Sequence, residues 1–189
     1  DLNTKITLPI DENNRLLLSG YFGRDVVSFD NTFKNIYGNT VVNLRWNRVF
    51  SPKIFGNLSL IYSDYYYGLA LDFVGFNWDS GIQNFNIKYD LSYNISEKIS
   101  LETGVQGTYY SFNPGYIQPL AATSGFNPEQ LQSKFAAEGS IYLSAKHDIS
   151  SKMALHYGLR INQFNRLAQS GLLEYANAQP LIYLSLIHI

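Results

Sequence analysis

From Asn84 to Tyr93 the chain alternates without a slip. Phe85, Ile87, Tyr89, Leu91 and Tyr93 fall on one side, and Asn84, Asn86, Lys88, Asp90 and Ser92 on the other. Successive side chains of a strand point to opposite faces, so a period of two makes one apolar and one polar surface. A turn, Asn94-Ile95-Ser96-Glu97-Lys98, follows. The alternation then resumes, with Ile99, Leu101, Thr103, Val105, Gly107 and Tyr109 opposed to Ser100, Glu102, Gln106 and Thr108. Each arm has the roughly 9–11 residues a tilted strand needs to cross a bilayer. Pairing Lys88 or Asp90 with Glu102 preserves both faces, and the Lys88–Glu102 register is electrostatically the better.

The rest of the chain repeats this hairpin more weakly. Alternation runs over residues 2–8, 15–24, 38–50, 55–67, 134–148 and 153–164, making about eight strands in all. Short turns fall at 9–14, 51–54, 94–98 and 149–152, and long loops are expected at 25–37, 68–79, 113–133 and 166–180. Short turns at one end and long loops at the other, over alternating strands, are the pattern of bacterial outer-membrane barrels. Strands of a soluble sandwich usually run about 5–6 residues, and its long loops are not confined to one end. The expected fold is therefore all-β, an antiparallel up-and-down transmembrane β-meander.

Composition agrees. Hydrophobic residues make up 46% of the 189, yet mean hydropathy is −0.13, and no run approaches the ~18 apolar residues of a spanning helix. Charged residues are 15%, below the roughly 25% of soluble domains. Tyr and Phe dominate the aromatics and gather near strand ends, as at Tyr21, Trp46, Tyr62, Tyr65–Tyr67, Trp78 and Tyr109, where headgroup-level girdles form. A net charge of −1 gives no footprint for nucleic acid, and the absence of cysteine removes disulfides and thiolate metal sites.

No constellation for catalysis emerges. His147, His156 and His188 lack metal-ligand spacing, and Ser19-Gly20-Tyr21-Phe22-Gly23 is not a phosphate loop because no helix and no Lys-Ser/Thr pair follows. No cofactor is expected and the chain is read as a non-enzyme. The polar face carries Arg45, Lys88, Asp90, Glu102, Glu138, Lys146, His156 and Arg160. In a barrel these project inward, since Arg or Lys at the lipid midplane costs about 2–4 kcal/mol. Arg45, Lys88, Asp90, Glu102, Glu138, His156 and Arg160 are the candidate lumen-facing residues, for a ligand path or contact with an internal plug. Mutual pairing and hydration within the wall is the plainer role.

Several strings resemble the barrel domain of TonB-dependent outer-membrane receptors, especially those of Bacteroidetes-type bacteria. They include Ser19-Gly20-Tyr21-Phe22-Gly23-Arg24-Asp25, Gly38-Asn39-Thr40 with Leu44-Arg45-Trp46-Asn47, and Phe50-Ser51-Pro52-Lys53. Leu60-Ile61-Tyr62-Ser63-Asp64-Tyr65, Phe112-Asn113-Pro114-Gly115 and Tyr157-Gly158-Leu159-Arg160 continue the likeness to about residue 180. The resemblance implies an outer-membrane location, a 22-stranded barrel, and uptake of an iron chelate, cobalamin or glycan powered through TonB. It also implies partners in the bilayer lipid, a plug domain and the TonB complex, the last two not encoded in this chain. The chain is then an internal fragment, residues 1–180 being partial barrel and 181–189 a loop or a non-native tail. The alternative is a self-contained eight-stranded barrel with a structural or adhesive role.

Overall fold

The computed structural model describes residues 1–30, 32–121, 124–167, 172–176 and 179–184. Its strands are β1 (Leu2–Pro9), β2 (Asn14–Phe29), β3 (Phe33–Ser51), β4 (Ile54–Leu71), β5 (Phe76–Ser96), β6 (Ile99–Pro119), β7 (Glu129–Gln130), β8 (Lys134–Ser150) and β9 (Met153–Leu167). A separate pair, β10 (Leu172–Ala176) and β11 (Gln179–Leu184), forms a two-stranded sheet. The main sheet runs β1-β2-β3-β4-β5-β6-β8-β9 with β7 beside β6, so every long strand pairs antiparallel with its neighbour in sequence. It is an open up-and-down meander, with no helix among the described residues.

Its side chains are distributed inside out. Only Ala136 and Ala145 are buried apolar residues among those described, while Phe85 is 58% exposed and Ile87, Ile141 and Leu143 are more than half exposed. On the opposite face Ser59 is 3% and Thr108 8% exposed. The polar side chains shield one another and the apolar ones stand apart. Registers across the sheet put Val42, Tyr62, Phe85 and Tyr109 on one apolar rung, and Trp46, Leu58, Tyr89, Val105, Ile141 and Ile161 on another.

The four short connections form as expected, at the near ends of β1/β2, β3/β4, β5/β6 and β8/β9. Three share one construction that the individual turns conceal: Phe50-Ser51-Pro52-Lys53-Ile54, Ile95-Ser96-Glu97-Lys98-Ile99 and Ile149-Ser150-Ser151-Lys152-Met153. In each, the lysine N–H donates to the serine Oγ at 3.3 Å, and a bulge precedes the serine. In the first turn Asp11 takes the serine's place, accepting the Asn13 N–H at 2.8 Å. The turns are stitched in series by three backbone bonds of 2.8 Å, from Val49 N–H to Asn13 O, Asn94 N–H to Lys53 O and Asp148 N–H to Lys98 O.

At the other end the expected long loops are mostly strand. The 25–37 loop shrinks to residues 30–32, closed by the Thr32 N–H on Phe29 O (2.9 Å) and by packed Phe29 and Phe33 rings. The 68–79 loop becomes the turn 72–75, where Gly75 at φ +85° closes on Leu71 O in a conformation that side chains with a Cβ disfavour. β6 runs on to Pro119, leaving a connection that contains β7, and the 166–180 segment contains the end of β9, all of β10 and the start of β11. The tail expected at 181–189 is strand to Leu184, and residues 185–189 lie outside the described residues. These extensions escape a period-of-two reading for a physical reason. Beyond the apolar band neither face is required to be apolar, so Asp25–Phe29 and Phe33–Tyr37 keep β-favouring residues but lose the alternation.

The Asp11 carboxyl, fully exposed, is held below its ordinary 3.8, first by the Asn14 side-chain amide and then by the Asn13 N–H. A lowered carboxylate contributes stability above its unfolded-state value and loses it as pH falls through the folded value. An NMR titration should put the Asp11 midpoint below 3.8, and Asn14→Ala should move it back up. An unchanged midpoint in Asn14→Ala would show that the amide does not set it.

Candidate functional site

The polar face gathers its charged residues where β5, β6, β8 and β9 lie side by side. One rung carries Asp90, Gly104, Tyr142 and Arg160, and the next Lys88, Gln106, Ser140 and Asn162. Lys88 Nζ pairs with Asp90 Oδ2 at 3.0 Å within β5, because residues two apart in a strand share a face. The Tyr142 hydroxyl donates to Asp90 Oδ1, reaching across the whole of β6. Gly104 makes that reach possible. The Tyr142 ring lies flat in the space a side chain would take, so that a Cβ at residue 104 would stand 2.6 Å from the ring. Both carboxylate oxygens of Asp90 are thereby engaged.

Cations bracket the same ring. The Arg160 guanidinium lies 5.7 Å and Lys88 Nζ 5.9 Å from the Tyr142 ring centroid, within the range of a cation–π attraction of about 0.5–2 kcal/mol. Arg160 also donates from Nη2 to Ser140 Oγ (2.8 Å) and Gln106 Oε1 (3.2 Å), and from Nε to Asn162 Oδ1 (2.8 Å). Four strands are thus clasped by side chains as well as by backbone.

Of the seven candidate residues, Lys88, Asp90 and Arg160 meet in this cluster. Arg45 stands apart on β3, donating from Nε to Ser59 Oγ at 3.1 Å, and Glu138 accepts from the Tyr110 hydroxyl at 3.0 Å. His156 lies opposite Lys146 toward the turn end, away from the cluster. Glu102 lies opposite Ser92 and Ser144. Both registers weighed for the central hairpin are therefore wrong: Lys88 faces Gln106, Asp90 faces Gly104, and a bulge between Asn94 and Ser96 sets the offset. Lys88 finds its carboxylate along its own strand instead. Tyr142 and Gly104 were missed as partners, although alternation places Tyr142 on the polar face. The signal available was a glycine among β-favouring residues, where a neighbouring side chain can lie flat.

Among the described residues no group of three or more His, Asp or Glu side chains is placed to hold a metal ion. The arrangement is a polar surface cross-linked by its own side chains, in which Asp90 balances Lys88 and Arg160 is held by neutral partners and the Tyr142 ring. No protein-family model, curated protein or solved structure was found to match the chain.

Gly104→Ala should push the Tyr142 ring off β6 and cost roughly 1–3 kcal/mol, as overpacking does. Tyr142→Phe, which keeps the ring but loses the hydroxyl, should cost about 0.5–1.5 kcal/mol. Denaturant unfolding of both variants and their double checks the clasp, since additive effects would show that ring and glycine are independent.

Proposed function

We propose that the chain is a wall segment of a bacterial outer-membrane β-barrel, of the TonB-dependent transporter and receptor type, serving uptake of a scarce nutrient. The carrying observation is the inverted exposure: Phe85, Ile87, Ile141 and Leu143 stand open while Ser59 and Thr108 are covered. In water such a sheet leaves its apolar face unpaid for, whereas a bilayer covers it and leaves the polar face to a lumen.

Two further features support the reading. Aromatic rungs flank the apolar band, Tyr62, Phe85 and Tyr109 at one border and Tyr93 and Tyr157 at the other. From Phe85 to Tyr93 is about 27 Å along the strand at ~3.4 Å per residue. Arg48 lies over the Trp46 and Phe50 rings at 5.6 and 4.9 Å on the apolar face near the turn end, where a long cationic side chain can reach headgroups. Lipid is then the outer partner, while a plug domain, the TonB complex and an iron chelate, cobalamin or glycan meet the inner face. On this reading Lys88, Asp90, Tyr142 and Arg160 line the lumen and no bond-making chemistry is assigned to them.

A second reading, a small self-contained barrel, draws on the unbroken path of eight long strands, which is a permitted count for closure. Heat-modifiable, protease-resistant migration of the chain refolded alone would favour it.

Trp46 and Trp78 are the two tryptophans. In the Trp78→Phe variant refolded into vesicles, acyl-chain-brominated lipid should quench Trp46 strongly. In Trp46→Phe, Trp78 lies beyond the apolar band and should be quenched far less. Equal quenching, or none, would remove the lipid-facing assignment of that face.

A further inference from the structure

The three Ser-x-Lys turns place Lys53, Lys98 and Lys152 at the same position of the same turn, all exposed, on one end of the sheet. Successive turns are two strands apart, about 10 Å at ~4.8 Å per strand, so the ammonium groups form an evenly stepped row. The stitching bonds between turns fix that spacing through the backbone, and Lys53 Nζ adds a 3.2 Å bond to Ile95 O of the next turn. The residue before each serine is apolar and exposed: Phe50 at 47%, Ile95 at 38% and Ile149 at 45%. Phe50 lies on the apolar face, its ring under Arg48 and against Gly56, and Ile95 and Ile149 hold the equivalent position of the same bulged turn. Each turn therefore pairs an apolar anchor with a cation one step beyond the apolar band.

Charge differs between the two ends. The far end of the sheet carries Asp25, Asp30, Asp64, Asp72, Asp79 and Glu129 against Arg24, Lys34, Lys134 and Arg166. At the turn end Lys146 is paired with Asp148 at 3.4 Å, Glu97 sits inside the second Ser-x-Lys turn, and Asp11 and Glu12 occupy the turn whose third position is Asn13. The lysine row belongs to β3 through β9.

We infer that this row is a phospholipid-binding strip, in which Lys53, Lys98 and Lys152 hold the phosphates of an anionic lipid surface while Phe50, Ile95 and Ile149 enter its apolar layer. The inference rests on the lipid-facing assignment of the apolar face. It adds which end meets anionic headgroups and through which residues. A lysine near an anionic surface gains about 1 kcal/mol, so two of them are worth roughly a tenfold to thirtyfold change in partitioning.

The test measures partitioning of the chain onto phosphatidylcholine vesicles and onto mixed phosphatidylcholine–phosphatidylglycerol vesicles. Wild type should bind both, the mixed vesicles more tightly and less so as salt rises. Lys98→Gln/Lys152→Gln should lose roughly tenfold or more on the mixed vesicles and little on phosphatidylcholine. Lys98→Arg/Lys152→Arg should retain the gain, and Arg24→Gln/Lys34→Gln, with the same loss of charge at the other end, should retain it too. Equal loss in the two Gln pairs, or none in Lys98→Gln/Lys152→Gln, would overturn the strip and leave the lipid-facing assignment standing. Failure of wild type to bind either vesicle would overturn both.

Discussion

The cross-strand backbone ladder carries this structure. With only Ala136 and Ala145 buried among apolar side chains, there is no second layer for the sheet to pack on. In most domains a hydrophobic core holds the elements and hydrogen bonds fix their register. Here the order is reversed: the ladder from β1 to β9 makes one continuous surface, and the apolar residues are turned outward from it. A sheet so built gains stability from its apolar face only through something other than water that covers it.

The polar face answers a different requirement. Charges on a surface that is partly shielded must find partners or stay hydrated. The Lys88–Asp90 pair, the Tyr142 hydroxyl on Asp90 and the Arg160 fan onto Ser140, Gln106 and Asn162 meet that need without any apolar packing. They also tie strands that are not adjacent, since Tyr142 on β8 reaches β5 across Gly104. Side chains there lock the sheet laterally in a way the pairwise ladder does not.

How much of this was legible in the sequence follows from where two environments meet across the sheet. Between Phe85 and Tyr93 one face is apolar and the other polar, and alternation located strands, faces and turns correctly. Past Asn84 toward Phe76 the alternation fades, and the first residues of β5, 76–79, read as part of a loop. Registers were out of reach because alternation is indifferent to a shift of two residues, and the bulge ahead of Ser96 decided the offset. The cluster was half visible: alternation put Lys88, Asp90 and Arg160 on one face, but only the register could show that Gly104 opens a path from Tyr142 to Asp90. His156, equally polar and on the same face, was left outside by that register, and Glu102 stands at its edge, opposite Ser92 and Ser144. The serine–lysine turns were legible only as separate short turns, and their shared construction emerged once the serine hydrogen bonds and the stitching bonds set them in line.

That line of turns also fixes a direction. From the Ile54–Tyr93 rung, continuing to Leu101, the next turn ends two residues further on at Ser96–Ile99, and from Ile99–His147–Leu155 the following one ends two further at Ser150–Met153. A step of two residues, about 7 Å, for every two strands, about 10 Å, makes the row of turns cross the strands obliquely. If the sheet is the barrel wall proposed above and the row lies at one depth, the strands would lean from the membrane normal by about 35°, within the range that closed outer-membrane barrels use. In the proposed barrel wall, that lean would turn the ~27 Å from Phe85 to Tyr93 along β5 into about 22 Å of depth, near the height of an outer-membrane apolar band. The turns are thus a gauge of slope, carried in the local chemistry of three short loops.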